Sequence, residues 1–287
     1  QISLILSDHI GFAHTKSKND YFLNKIKFNY DELVKEDLDL SMLYNKKNDK
    51  HEKLCNVTFC IKDENYSKIK EMTSFMTSDI NNCRKSLKFL TEQNCNVFRV
   101  GEKSMVPFEF SSDRYKNLYN LNSHKSLLNN SYAKCSFYFG SSASHGIIPE
   151  LFNKKKYIIN HAEHLEISYS RSLDNYILFK KIYCNKLNKV LSIQEIFRRD
   201  LYDYYVVKNS LEKNKIKLIE NSEEEIFEGL IEFYDRNFKG IVKNNNKINK
   251  YLEIRKELFQ KEKHKDQKYC ENFLCNIPDF YLKKYLD

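Results

Sequence analysis

Glycine and proline are scarce in this chain, six and three among 287 residues. Lys, Asn, Ile, Tyr and Phe are abundant instead, the mark of an AT-rich coding bias, so a single Lys, Asn or Tyr points to nothing by itself. No apolar run approaches the ~18 residues that cross a bilayer. The segment from Ile2 to Leu6 is too short for a signal peptide and lacks a cleavage pattern. None of the eight cysteines forms a Cys-x-x-Cys pair. Several lie in apolar stretches and read as reduced, packed thiols of a cytosolic protein. His161 and His164 are three apart, whereas a zincin places its histidines at i and i+4. They read as an exposed loop, with one imidazole placed to face a cleft. Asp37-Leu38-Asp39 has the form of an Asp-x-Asp metal site, but Lys35-Glu36 precede it where a hydrophobic strand is needed. It reads as a charged helical face, so no metal is expected. There is no internal repeat.

With 41% hydrophobic and 30% charged residues, the composition is that of a folded chain. Its length suggests about two domains. The net charge is +9. From Lys239 to Lys268 there are 10 Lys and Arg against 4 Asp and Glu, so this stretch carries +6 and the remainder +3. Such a stretch is either a solvated helix or a contact for anionic lipid or phosphate. No motif interleaves aromatic and basic residues as an RNA module does, so nucleic acid is not the expected partner.

The most informative stretch runs from Cys135 to Asn160. Phe137 to Phe139 form an aromatic strand ended by Gly140, followed by a loop containing Ser141, Ser142, Ser144 and Gly146. Ile147, Ile148, Leu151 and Phe152 fall at helical spacing, and Tyr157 to Ile159 read as the next strand. This is a βαβ unit, and its loop lies where open parallel sheets bind ligands. Small side chains and serine hydroxyls at a helix start suit a phosphate or a sugar. The same residues also suit an ordinary βα turn with a serine cap.

Other strands read as Ser3–Leu6, which leads to His9 and Gly11, Val57–Ile61, Asn96–Val100, Tyr176–Phe179 and Ile216–Glu220. Lys62 and Asp63 follow the second of these and belong in a cleft if the sheet is parallel; otherwise they form a polar turn. Arg99, followed by Gly101, needs a partner near the end of its strand, either a phosphate or an internal carboxylate. Ser78 is placed to cap a helix over 79–92. Ser123–Lys134 reads as a helix and Glu102–Asn122 as a loop. Ser192 and Ser222 each begin a capping box. Phe273–Leu286 is apolar enough to dock on a core.

The order of these segments resembles a family of bacterial glycosyltransferases found with surface-polysaccharide genes. The resemblance rests on Val57–Asp63, Ser78–Ile80, Val97–Gly101, Ala133–Cys135, Phe139–Pro149, Tyr157–Asn160, Val190–Ile196 and Ile219–Ile226. It covers about 56–236. It implies an α/β chain of GT-B-like fold, with a doubly wound parallel-sheet nucleotide-sugar domain at 55–238. Residues 1–54 would be a short or truncated acceptor-side region, with a basic helical tail at 239–287. It further implies a cytoplasmic glycosyltransferase that needs neither cofactor nor metal and moves a sugar from a nucleotide-sugar donor to a glycan or lipid-linked acceptor. The tail would give peripheral contact with an anionic membrane. Asp63 is the first choice for catalytic base and His9 the second. Lys62, Arg99, Gly101, the Gly140–Gly146 loop and Asn160 would hold the donor. The chain departs from the family in carrying Lys62 for an arginine, Ala143-Ser144 for Ser-Gly, and no acidic residues in the helix before Cys135. These departures, with the short N-terminal region, keep open a relative that binds without turnover.

Overall fold

The computed structural model describes residues 55–66, 74–118, 124–141, 146, 148–162, 164, 172–202, 204–242, 246–261 and 275–287. Its centre is a sheet of six strands: β1 (Cys55–Cys60), β2 (Cys95–Arg99), β3 (Tyr115–Asn117), β4 (Phe137–Ser141), β5 (Lys155–His161) and β6 (Tyr176–Phe179). The spatial order is β3-β2-β1-β4-β5-β6, and every neighbouring pair is parallel. This is a Rossmann-like α/β sheet, whose order reverses between β1 and β4. Strands β2, β4 and β6 are buried along their whole length, because helices cover both faces of a parallel sheet.

One face carries α1 (Arg84–Glu92) and α6 (Glu223–Phe238), which pack against each other. α2 (His124–Lys134) packs on β1, where the Thr58 hydroxyl donates to the Ser131 carbonyl at 2.7 Å. α3 (Ile148–Leu151) is a single turn joining β4 to β5. Large rings interleave beneath α6. Phe59 and Phe139 lie 5.2 Å apart, Phe139 stacks on Tyr157 at 5.6 Å, and Tyr157 stacks on Phe233 at 5.9 Å. Aromatic pairs at such separations add to the burial of their apolar area. The buried Tyr157 hydroxyl donates to the Ile226 carbonyl at 3.0 Å, so no polar group is stranded there.

A second sheet is small and antiparallel, ordered β8-β7-β9, from β7 (Lys181–Cys184), β8 (Lys189–Val190) and β9 (Ile216–Ile219). The expected strand at 216–220 is thus present but stands outside the parallel sheet. α4 (Ile193–Arg198) and α5 (Tyr204–Glu212) lie between β8 and β9. The capping boxes at Ser192 and Ser222 both form, each serine accepting from the N3 backbone and each N3 glutamate reaching back. After α7 (Asn246–Lys261), the chain returns to the core. Asn276 pairs with Tyr176 as a parallel bridge, and α8 (Asp279–Tyr285) buries Tyr281 and Leu282. The docking expected of the C-terminal apolar segment is therefore present. Among the described residues the cysteines are free thiols, all but Cys55 buried. No described helix is long and apolar enough to cross a membrane.

Three local expectations are corrected. Glu102–Asn122 is not loop throughout, since β3 pairs with β2 at the sheet edge. Gly140 does not end β4 but lies within it, opposite Cys60 and Ile158. Ser78 does not cap the next helix. Asp79 does so, accepting from the Asn81 N–H at 2.9 Å and opening a 3-10 turn, Ile80–Cys83, that runs into α1.

Candidate functional site

In open parallel sheets the ligand crevice lies beyond the carboxyl ends of the two strands where the order reverses. Here those strands are β1 and β4, and they bring Lys62 beside Ser141. The Lys62 backbone N–H donates to Ser141 Oγ at 2.7 Å. The Lys62 carbonyl accepts from the Ser78 N–H at 2.8 Å. Lys62 is 7% exposed, and among the described residues no carboxylate pairs with its ammonium. Burial alone pulls its pKa below the ordinary lysine value.

Gly140 is fixed by packing, because a Cβ there would lie 2.1 Å from the Cys60 carbonyl oxygen. Gly146 is buried but not crowded; its Cβ would meet Ile158 Cδ1 at 3.5 Å, an ordinary contact. Ser142, Ser144 and His9 lie outside the described residues, as do Asp37 and Asp39. The helix after the loop is one turn long and has few aligned peptide dipoles to offer an anion.

Asp63 is 5% exposed and already engaged. Its Oδ1 accepts from the Asn65 N–H at 2.9 Å and its Oδ2 from the Val106 N–H at 2.8 Å. Arg99 is fully buried. Its Nη2 donates to the Val106 carbonyl at 2.8 Å, and the guanidinium stands 5.7 Å from the Phe108 ring centre. Asp63 and Arg99 therefore grip opposite sides of one peptide segment at Val106. Gly101 adopts a φ of 141° at the start of that segment, with Met105 Sδ 2.1 Å from where a Cβ would be. These three residues shape the wall beside the crevice.

Asn160 belongs to a second polar group, at the carboxyl ends of β5 and β6. It takes a φ of 51° where the β5–β6 register shifts. Its Oδ1 accepts from both the backbone and side-chain N–H groups of Asn221, at 2.8 Å each. Asn221 Nδ2 also donates to the Phe179 carbonyl at 2.9 Å. His161 and His164 are buried rather than exposed on a loop. His164 stacks on Phe179 at 4.6 Å, and burial with the neighbouring His161 pushes its pKa down to about 3. Lys180, 4% exposed, donates to the Thr77 carbonyl at 2.6 Å and lies 3.5 Å from Glu220 Oε1. Burial lowers its pKa while Glu220 opposes the shift.

Between these two groups lies a cleft of about 240 Å3, lined by residues that include Asp63, Ser78, Asp79 and Glu220. A depression of about 440 Å3 along α5 has five described lining residues, all from that one helix. Reasoning from sequence missed Lys180, Asn221 and Glu220. Lys180 directly follows an apolar strand and Asn221 directly precedes a capping serine, and both positions are legible as strand or helix ends. Among the described residues no three His, Cys, Asp or Glu side chains come together as a metal-ligand set. No family model, curated protein or solved structure matches the chain.

Proposed function

We propose that this chain binds a nucleotide sugar at the β1–β4 crevice and transfers its sugar to a glycan or lipid-linked acceptor, as a GT-B-like glycosyltransferase. The observation that carries the reading is Lys62. It is a largely buried lysine with no carboxylate partner among the described residues, at the reversal point of a Rossmann-like sheet, with Ser141 held against its own peptide. A cation that has lost part of its hydration is costly, and an anion offsets that cost. A diphosphate is the anion that this crevice receives in sheets of this kind. In glycosyl transfer the acceptor hydroxyl attacks the anomeric carbon, the bond to the diphosphate breaks, and a base takes the hydroxyl proton. Charge builds on the departing diphosphate, and Lys62 would stabilise it there.

The engagement of Asp63 favours a second reading, a protein that binds the donor without turning it over. Both of its oxygens already accept backbone hydrogen bonds, so the carboxylate is held in a structural role beside the crevice. Isothermal titration with the diphosphates of uridine, guanosine, adenosine and thymidine and with their sugar conjugates tests the shared claim. Release of free diphosphate, followed in the same samples with and without EDTA, separates the two readings. Binding with slow release of diphosphate, kept in EDTA, supports the transferase. Binding with no release supports the second reading, and no binding removes both.

A further inference from the structure

The 240 Å3 cleft beside Asp63 has a composition that the phosphate-binding reading does not use. Its rim carries four carboxylates, those of Asp63, Glu64, Asp79 and Glu220. Lys180 stands beside Glu220, and its ammonium is already shared between Glu220 and the Thr77 carbonyl. Among the described lining residues the carboxylates are in excess, which disfavours a phosphate inside the cleft itself. Its size points the same way. Sites for drug-sized ligands run from about 300 to 1,000 Å3, so this one holds a single ring and not a whole nucleotide sugar.

A second observation points to a ligand. Ser78 lines the cleft, is 3% exposed, and its Oγ has no hydrogen-bond partner among the described residues. It is unemployed because Asp79 took the capping role. Buried hydroxyls almost always have a partner, and one left without is a standing destabilisation that a bound hydroxyl would relieve. The Asp63 oxygens each accept one backbone N–H, and a carboxylate has about four acceptor sites, so each can still take a ligand hydroxyl. The cleft also adjoins the crevice directly. The Lys62 peptide donates to Ser141 on one side and accepts from Ser78 on the other.

We propose that this cleft is the subsite for the sugar ring of the donor, and that it selects a neutral or amine-bearing ring over a uronate. The proposal rests on the nucleotide-sugar reading above. Ser78 and the carboxylates take the ring hydroxyls. The excess negative charge turns away a ring carboxylate, while the diphosphate remains at Lys62.

The test is isothermal titration of the full chain with UDP, UDP-glucose and UDP-glucuronate, or the same three forms of whichever nucleoside diphosphate binds. The glucose conjugate is expected to bind more tightly than the bare diphosphate, and the glucuronate conjugate no more tightly than it. Ser78→Ala is expected to weaken the glucose conjugate roughly three- to tenfold, the range of one lost hydrogen bond. It should leave the bare diphosphate unchanged. The variant deletes a hydroxyl that bonds to nothing, so the fold is retained. Glu64→Gln, at the exposed rim, is expected to bring the glucuronate conjugate closer to the glucose one. Equal affinity for all three ligands, or a Ser78→Ala change shared by the bare diphosphate, overturns the subsite and leaves the nucleotide reading standing. If none of the four nucleoside diphosphates binds, both fall.

Discussion

Lys62 and Lys180 invite comparison because they are the same residue type at the same edge of the same sheet. Lys62 follows β1 and Lys180 follows β6; they are 7% and 4% exposed. Burial lowers the pKa of both. The difference is in what surrounds the ammonium. Lys180 is matched by Glu220 and the Thr77 carbonyl, and the neighbouring Asn160 and Asn221 side chains are joined to each other through Asn160 Oδ1. Lys62 has no such match among the described residues. A buried cation with internal partners ties elements together; one without them is a cost to the fold that a bound anion offsets. The lysine at the β5–β6 end is thus tied into the fold, and the one at the β1–β4 end is left for the ligand proposed above. Proteins commonly give up stability at such sites for function.

The largest expected effect tests whether the two halves of the β1–β4 edge differ as their packing says. Gly140→Ala puts a Cβ 2.1 Å from a backbone oxygen, so the strands must part. We expect a loss of about 3 kcal/mol or more in urea unfolding. Gly146→Ala, whose Cβ meets only ordinary contacts, should change stability by less than about 1 kcal/mol. Equal losses would mean that the loop is as packed as the strand.

The closed end can be probed through pH. Burial holds the His164 pKa at about 3, below its ordinary 6.5, so the folded protein binds fewer protons than the unfolded chain between those values. Its contribution is complete above pH 6.5 and is lost as pH falls towards 3. Between pH 6.5 and 5 this amounts to about 2 kcal/mol. His164→Phe keeps a ring on Phe179 and removes the titration. Stability of the two proteins measured across that range should diverge as pH falls. Parallel curves would show that His164 is open to water.

The smallest effect is the sharpest on the comparison itself. Lys62→Met should stabilise the free protein by roughly 1 kcal/mol and abolish diphosphate binding, since it removes a desolvated charge. Lys180→Met should destabilise by a similar amount, leaving the Thr77 carbonyl and Glu220 without their cation. Changes of the same sign, read from melting temperatures and titrations, would erase the distinction between the two ends.

Much of the local structure was legible. Apolar runs marked β1, β2, β4, β5 and β6, and two Ser-x-x-Glu patterns marked the starts of α4 and α6, because those signals act within a few residues. Asp63 was recognisable as a cleft residue once the sheet was taken as parallel, with Lys62 beside it at the strand end. Arg99 remained open between a phosphate and an internal partner. Its guanidinium in fact reaches a carbonyl seven residues on, which no spacing rule announces. Ser78 and Asp79 are both good caps, and their competition was settled by the Ser78 peptide. That peptide is fixed by its N–H to the Lys62 carbonyl, while Asp79 accepts the cap bond. The histidines read as surface because their segment is polar, yet Phe179 and Tyr251 enclose His164.

The sequence by itself determined the alternation of strands and helices, and with it the class of fold, since hydrophobic period and capping chemistry are local. Only the tertiary structure decided that β1 and β4 are neighbours. That pairing spans 79 residues between the Lys62 N–H and Ser141 Oγ. It also decided which buried polar groups found partners and which did not. Satisfaction of a buried charge depends on atoms brought together from distant parts of the chain, and that is why Lys62 and Lys180 look alike in sequence and differ in the fold.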